Sequence, residues 1–532
     1  MKICLINPPY AIQDNEYYRK YIDSGYNTQS LGLGYIVSYL QNHDYDVCYV
    51  ECMIESLTVN DVLCQLEMNQ YDIVGISVTD STRRSTLKLI KEIRKSISKN
   101  CYIILGGYCA SLSYESLLQI IDDERVICVL GEGEVTMLEL VQAVERGDSI
   151  DGIKGISYLE NKTIKKTEPR SLIEDLNTLP FPYRVDNNRY SMSITSSRGC
   201  LNDCTYCSIS ALYKKCSGRK FRSRSAENIY YEIQDYIAQW GKPQKIVFYD
   251  DNFLASSPYN LKRIEKLCIY LRNVDIPFCI TARAGDIVKN EPLIKKLKNS
   301  GLYHLFVGIE SFSQRQLDLY NKCTSVEENL RAIQIIYDNM LSAEIGFIPL
   351  DKTTNIEEIR QNYSILLNSK ATNILYKTGK LFSKNNYIFA VNGTKIRKLI
   401  EEEGTFVNNE RGYKFDDFRV ERLLSILKIW IKGYKEIEND MLFIYKLRES
   451  TGIFNKYYRL NVEMTRLDIQ FIISVCEAIE KNFSVEKVIK EFELKRNKIK
   501  NEYILLQMEA IRIKDIRYQS ICCSQRVEME SL

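Results

Sequence analysis

Three cysteines within eight residues constrain this chain more than any other feature. The run Arg198-Gly199-Cys200-Leu201-Asn202-Asp203-Cys204-Thr205-Tyr206-Cys207 spaces them as Cys-x3-Cys-x2-Cys, directly after a predicted strand, Ser193–Ser197. Thiolates are the usual ligands of iron–sulfur clusters, and a cubane needs four. Three cysteines leave one iron without a protein ligand, open to a small molecule that chelates through an amino and a carboxylate group. The competing reading is a structural zinc site, which wants four closed ligands, usually as two Cys/His pairs. No Cys-x2-Cys partner or nearby histidine completes one, although Cys216 is close.

The rest of the composition narrows the chemistry. The 17 cysteines are odd in number and scattered, unlike a secreted disulfide framework, and residues such as Cys48 and Cys101 sit inside apolar runs as reduced core residues. Only two histidines occur, His43 and His304, which argues against histidine-rich metal sites and Ser-His-Asp catalysis. Lys and Arg total 72 against 69 Asp and Glu, a net of +3, so neither DNA nor an anionic membrane is expected as a partner. No apolar run approaches the ~18 residues that span a bilayer. The opening Met1-Lys2-Ile3-Cys4-Leu5-Ile6 lacks a basic leader and a cleavage site and reads as a first strand, which places the protein in the cytoplasm.

A length of 532 residues predicts two or three domains. Residues 1–150 alternate apolar strands (Lys2–Ile6, Asp46–Val50, Ile73–Val78, Tyr102–Leu105, Val126–Leu130) with helical patterns, the signature of an α/β, doubly wound, Rossmann-like parallel sheet. Ligands bind such sheets beyond the carboxyl ends of the strands. Residues 151–190 read as a linker ending in Leu179-Pro180-Phe181-Pro182. A second alternation over 191–417 predicts strands at Ser193–Ser197, Lys245–Tyr249, Pro277–Ala282, Leu305–Gly308, Ala343–Ile348 and Asn373–Tyr376. Six such units are fewer than the eight of a closed barrel, so a partial (β/α)6 barrel is the economical reading. Residues 418–532 are expected to be helical.

The cysteine motif, with Tyr206 as the aromatic before its last cysteine, resembles the signature of the radical S-adenosylmethionine (SAM) superfamily. The resemblance implies a [4Fe-4S] cluster on Cys200, Cys204 and Cys207, with SAM on its open iron. Reduction then cleaves SAM to methionine and a 5′-deoxyadenosyl radical. It also implies SAM contacts from Tyr206, from Asp251 and Asn252 after the second barrel strand, from Arg283 after the third, and from Glu310 and Ser311 in Gly308-Ile309-Glu310-Ser311. Polar residues at strand ends are otherwise ordinary caps and turns. The segment Phe347-Ile348-Pro349-Leu350-Asp351-Lys352-Thr353-Thr354 replaces the superfamily's glycine-rich stretch and resembles a variant of its cobalamin-binding members.

The first 150 residues resemble the cobalamin-binding domain of one radical SAM subfamily. The resemblance rests on Leu5-Ile6-Asn7-Pro8-Pro9, Leu31-Gly32-Leu33-Gly34-Tyr35, Leu105-Gly106-Gly107 and Gly131-Glu132-Gly133-Glu134. It implies cobalamin contacts from Asn7, Pro8, Pro9, Leu33, Gly34, Thr79, Asp80, Ser81, Gly106, Gly107, Tyr108, Gly131, Glu132, Gly133 and Glu134. The sheet alone does not distinguish cobalamin from a nucleotide, although no Gly-x-Gly-x-x-Gly follows the first strand. The chain also lacks the Asp-x-His-x-x-Gly motif that supplies a histidine to cobalt in many cobalamin domains, so the lower cobalt face is expected to carry no protein histidine.

The subfamily implies methylation of an unactivated carbon through the 5′-deoxyadenosyl radical and methylcobalamin. The alternative is ring formation or skeletal rearrangement without methyl transfer. Methylthiotransfer and a non-enzymatic sensor fit less well: Cys4, Cys48 and Cys101 fall within predicted strands, and a sensor would not require the SAM residues. The expected partners are a small-molecule or peptide substrate and an electron donor such as flavodoxin or ferredoxin.

Overall fold

The structure is a computed structural model describing residues 1–10, 29–97, 100–185, 191–374, 387–409, 411–433 and 451–530. The chain forms two compact units. One holds Met1–Tyr303, Tyr320–Lys322 and Ala390–Phe406; the other holds His304–Leu319, Cys323–Phe389 and Val407–Leu532.

The first unit opens with a seven-stranded sheet. Strands β1 (Ile3–Asn7), β2 (Val47–Glu51), β3 (Ile73–Ser77), β4 (Tyr102–Gly106) and β5 (Val126–Val129) are parallel, and β6 (Ile156–Glu160) and β7 (Thr163–Lys166) join antiparallel. Their spatial order is β2-β1-β3-β4-β5-β6-β7. Cys4, Ile6, Val74 and Ile76 face one core, and Ile3, Leu5, Ile73 and Ile104 face the other. Burial on both faces explains why these strands read as apolar runs without polar alternation. The order reverses between β1 and β3, the switch point at which open sheets of this kind bind ligands.

Helices α1 (Leu31–Gln41), α2 (Cys52–Glu55), α3 (Val59–Glu67), α4 (Arg83–Glu92), α5 (Tyr108–Ile121) and α6 (Glu134–Arg146) connect the strands. Local chemistry sets their starts. The Ser30 hydroxyl accepts from the Leu33 N–H at 3.4 Å, and Thr58 and Asp61 form a reciprocal capping box. The β6–β7 hairpin, absent from the sequence reading, turns through Asn161 and Lys162 at φ 48° and 61°, the left-handed pair that a two-residue type I′ turn requires.

The first unit continues through β8 (Met192–Ile194), β9 (Ser197–Arg198), α7 (Ser208–Tyr213), β10 (Arg222–Ser223), α8 (Ala226–Trp240), β11 (Ile246–Phe248), α9 (Pro258–Val274), β12 (Phe278–Arg283), α10 (Ala284–Lys289) and α11 (Glu291–Lys298). Here β8, β11 and β12 pair in parallel, while β9 and β10 form a two-stranded antiparallel ribbon. Along β13 (Leu302–Glu310) the chain passes into the second unit.

The second unit contains α12 (Gln314–Leu319), α13 (Val326–Asp338), β14 (Ser342–Phe347), α14 (Ile356–Asn368) and α15 (Ala371–Ile374). Strands β13 and β14 are parallel, with a bulge between Gly308 and Glu310. Five of the six expected barrel strands therefore form. The sixth, Asn373–Tyr376, is corrected over its first two residues, which belong to helix α15; Leu375 and Tyr376 lie outside the described residues. After α16 (Lys395–Glu402), which belongs to the first unit, the chain ends in α17 (Phe418–Lys432), α18 (Thr451–Glu480) and α19 (Val485–Glu530). The helical end expected from the sequence packs around Trp430, which stacks on Phe471 with ring centroids 3.9 Å apart and donates to Asp468 at 2.9 Å. No helix among the described residues is long and apolar enough to cross a membrane.

Candidate functional site

The cysteine loop leaves β9 through Gly199, where only glycine fits. Its φ is +86°, and a Cβ there would lie 1.7 Å from the Lys220 carbonyl oxygen. Cys200, Cys204 and Cys207 follow as half-buried thiols that form no disulfide. The Asn202 side-chain amide approaches the Cys200 sulfur at 3.7 Å, and backbone N–H groups of Ile209 and Ser210 point at Cys207 from the start of α7. The loop is pinned elsewhere. The Thr205 N–H donates to the Tyr320 carbonyl at 2.9 Å, and the Ile396 N–H donates to the Thr205 carbonyl at 3.0 Å. Asp203 accepts from Lys395 at 2.8 Å and Ser210 at 2.5 Å and pairs with Lys214, and these donors hold its carboxyl well below the usual range against the opposing effect of burial. Among the described residues, no His, Cys, Asp or Glu trio converges tightly enough for a single metal ion. The donor set, three thiols on one short loop, is the set a cubane takes.

Of the predicted SAM residues of the first unit, Tyr206 lies in the turn before α7, Asp251 and Asn252 follow β11, and Arg283 ends β12. Tyr206 packs edge-on against Tyr320, with centroids 5.6 Å apart. Asp251 accepts the Gly199 N–H at 2.8 Å. Although Asp251 is exposed as a residue, desolvation by the chain around its carboxylate pushes it up to about 6. Asn252 is fully buried; its amide donates to Asp286 at 2.8 Å, and its carbonyl oxygen has no partner among the described residues. Arg283 donates to the Lys322 carbonyl, and its buried Nε is likewise unmatched. Buried polar atoms without partners are costly, and these two fit a polar ligand such as the amino-acid end of SAM.

Glu310 and Ser311 belong to the second unit. Glu310 has φ +64°, a strained conformation for a residue with a side chain. The Ser311 hydroxyl is enclosed, 2.5 Å from Gln316 Oε1 and 2.9 Å from Asn362 Oδ1. Gln316 in turn donates to the Pro349 carbonyl, Asp351 and Thr354 at 2.8–3.0 Å. Ser311 thus ties its turn to the Pro349–Thr354 segment.

The parallel sheet carries a cavity of about 260 Å³ at the carboxyl ends of its strands. Of the predicted cobalamin residues, Leu33, Gly106, Gly107, Gly131, Glu132, Gly133 and Glu134 line it. Its floor is apolar: Leu5, Ile36, Ile76, Ile104, Val129 and Met137. Glycines open the space. Gly75 brings β3 so close to Leu5 that a Cβ would stand 2.4 Å from its methyl, and a Cβ on Gly106 would meet nothing within 4 Å. This apolar slot fits a flat or extended group such as part of cobalamin.

Asn7, Pro8, Pro9, Gly34, Thr79, Asp80, Ser81 and Tyr108 are outside that lining. Asn7 is engaged by Glu51 at 2.5 Å, Thr79 bonds Thr82 at 3.1 Å, and the Asp80 N–H meets the Tyr108 hydroxyl at 3.4 Å. A Cβ on Gly34 would lie 2.7 Å from the Tyr183 carbonyl, so Gly34 serves packing.

The sequence reading missed the far side of the cavity, which Thr195, Arg198, Leu212, Tyr213 and Cys216 complete. Arg198 reaches Glu134 at 2.6 Å and Glu132 at 3.1 Å, and Arg222 reaches Glu132 at 2.8 Å. Burial alone would raise Glu132, but the two guanidinium groups outweigh it and hold its carboxyl below the usual range. Arg198 also lies over the Tyr35 ring, 5.0 Å from its centroid. The only local signal was the basic residue two places before Cys200.

Neither histidine enters the cavity lining. His43 is exposed just past the end of α1, its Nδ1 2.7 Å from the Tyr39 carbonyl. His304 lies in the second unit, with Nδ1 3.0 Å from the Ser342 hydroxyl.

Two family models match the chain. The radical SAM superfamily matches residues 194–365, and the B12 binding domain matches residues 21–141. The chain is 29% identical over 343 residues to an uncharacterized methyltransferase of Pyrococcus horikoshii, covering 63% of this chain and 71% of that one. It is 27% identical over 353 residues to the anaerobic magnesium-protoporphyrin IX monomethyl ester cyclase of Rubrivivax gelatinosus, spanning 63% of this chain and 61% of the cyclase. Its fold is shared with the cobalamin-dependent S-adenosylmethionine radical enzyme OxsB with aqua-cobalamin bound, at TM-score 0.72 and 18% identity over 97% of this chain and 80% of that one. The radical S-adenosylmethionine methyltransferase TsrM from Kitasatospora setae is similar at TM-score 0.59 and 15% identity, over 76% of each chain. The chain belongs to the cobalamin-dependent radical SAM enzymes, with a [4Fe-4S] cluster, SAM and cobalamin as its cofactors.

Proposed function

We propose that this enzyme methylates an unactivated carbon of a small molecule or peptide. When bound, the cluster supplies the electron that cleaves SAM to a 5′-deoxyadenosyl radical, and cobalamin carries the methyl group. The observation that carries this reading is Arg198, which lines the cobalamin cavity and stands two residues before Cys200. A methyl carrier and a radical source belong within reach of one substrate, and this residue faces the cavity with its side chain while its backbone leads into the cysteine loop. The name of the Pyrococcus relative supports the same reading.

In this reading Cys200, Cys204 and Cys207 hold the cluster. Tyr206, Asp251, Asn252, Arg283, Glu310 and Ser311 serve SAM, the last by fixing its turn. Leu33, Gly106, Gly107 and the Gly131–Glu134 turn face cobalamin, with Glu132 and Glu134 acting through their backbone while their carboxylates hold Arg198. Asn7, Pro8, Pro9, Thr79, Asp80, Ser81 and Tyr108, outside the cavity lining, would meet cobalamin beyond it, and Gly34 lets α1 pack against the Tyr183 carbonyl. Cobalamin held here would draw no histidine from the chain, since neither His43 nor His304 lines the cavity. Residues 1–150 form the cobalamin domain, whose sheet extends through the β6–β7 hairpin into the expected 151–190 linker, with 191–417 the radical SAM barrel and its extension and 418–532 a helical domain. We place the enzyme in the cytoplasm, where cysteines stay reduced.

A second reading, cyclisation or rearrangement without methyl transfer, is favoured by the cyclase name of the Rubrivivax relative. Anaerobic turnover with SAM carrying a deuterated methyl group separates the two. Methylation gives labelled product with S-adenosylhomocysteine and 5′-deoxyadenosine in equal amounts. An unlabelled product with 5′-deoxyadenosine alone would replace methylation with the second reading.

A further inference from the structure

Glu310 sits at the centre of a strained three-residue turn in the second unit. The Ser311 N–H closes the turn on the Ile309 carbonyl at 2.9 Å, and the positive φ of Glu310 makes it the rare form of such a turn. Backbone strain of this kind persists only where the surroundings over-determine it. Two fully buried asparagines do so here. The Asn329 side-chain amide, on α13, donates to the Ile309 and Ser311 carbonyls, each at 2.9 Å, one on either side of Glu310. Asn362, on α14, accepts the Phe312 N–H at 2.6 Å. From the β14 side, the Ile348 N–H donates to the Glu310 carbonyl at 2.7 Å.

Asn329 acts as a donor alone. Its Oδ1 is buried with no partner among the described residues, and turning the amide over would set that oxygen against two carbonyls. A buried acceptor left unmatched is costly, so the contribution of this residue lies in the two bonds it donates. The Glu310 side chain is directed as well. It is buried, and Gly346 of β14 leaves it room: a Cβ there would stand 3.3 Å from Glu310 Oε2.

We propose, resting on the reading that Glu310 serves SAM, that Asn329 is a positioning residue for SAM binding. By clamping the carbonyls on both sides of Glu310, it holds that carboxylate where the cofactor meets it. Residues with side chains prefer negative φ. Without the clamp the turn relaxes toward that region, and the carboxylate swings away from its place over Gly346. Asn329 itself touches no cofactor; it acts through the backbone of Ile309 and Ser311.

The test measures the dissociation constant of SAM by anaerobic equilibrium dialysis. It uses the full-length enzyme with its reconstituted cluster kept oxidised, so that no turnover occurs. The proteins are the parent, Asn329→Ala, Glu310→Ala and the double variant. Asn329→Ala should weaken SAM binding about tenfold, the loss of one hydrogen bond to a charged group, while iron content and cobalamin binding stay at parental levels. In the Glu310→Ala background the same substitution should add less than about twofold, because it acts through that side chain. Asn329→Leu fills the space without a donor; it should match Asn329→Ala, and it carries the test if the cavity left by alanine prevents folding. An unchanged SAM constant in both Asn329 variants overturns the proposal. An equal loss in the two backgrounds also overturns it, since that marks a merely structural role. If Glu310→Ala binds SAM as tightly as the parent, the reading of Glu310 as a SAM residue has failed, and the proposal falls with it.

Discussion

The Arg198 guanidinium and the Glu134 carboxylate meet at 2.6 Å, tying the strand that leads into the cysteine loop to the turn that lines the cavity of the parallel sheet. Glu134 begins α6, where the amino-terminal end of a helix favours an acid. Both side chains are largely buried, at 14% and 3% exposure. A buried pair costs desolvation and adds little net stability, yet removing one partner strands the other charge.

Glu134→Ala should therefore destabilise the first unit by about 3–5 kcal/mol. Chemical denaturation measures this. On the proposal that Glu134 meets cobalamin through its backbone, the same variant should bind cobalamin normally at low temperature, and equilibrium binding of cobalamin checks that.

Gly106→Phe should abolish cobalamin binding without unfolding the sheet. A Cβ at Gly106 meets no atom within 4 Å, so the ring has room to enter the cavity. Circular dichroism should match the parent, and cobalamin absorbance should be lost after desalting.

Gly199→Ala should lose most of the cluster. The methyl group would collide with the Lys220 carbonyl, and a φ of +86° is strained for alanine; such strain alone costs about 1–3 kcal/mol. Iron and sulfide content should fall while cobalamin binding persists.

Asp351 should give the second unit an acid-sensitive stability. Burial by itself raises its carboxyl, but Arg315 at 2.9 Å, with donors from Thr353 and Gln316, prevails and holds it below its ordinary 3.8. A carboxyl depressed on folding contributes stability that is fully present above its unfolded value, near pH 4, and lost as pH falls through the folded value. Unfolding midpoints measured against pH should fall on acidification below about pH 4. Asp351→Asn should flatten that limb and cost about 1–3 kcal/mol at neutral pH.

The sequence shows the parallel strands plainly because burial on both faces leaves apolar runs at β1 to β5. The β6–β7 hairpin is hidden in what reads as a linker, since Thr163-Ile164-Lys165-Lys166 is a charged edge strand and Asn161-Lys162 is a weak turn signal. Asn373 and Ile374 read as a strand start from apolar content, but a run this short does not distinguish strand from helix, and they are helical. Ligand types and glycine-lined turns were visible as local motifs. The Arg198–Glu132 pairing was not, because its members are 66 residues apart and meet only through tertiary structure.

The most direct measurement of the central claim compares 5′-deoxyadenosine formation by the reconstituted enzyme and by Cys200→Ala/Cys204→Ala/Cys207→Ala, both loaded with cobalamin and supplied with SAM and a strong reductant. The parent should cleave SAM, and the triple variant should bind cobalamin yet form no 5′-deoxyadenosine. Cleavage at the same rate in both proteins would contradict the account.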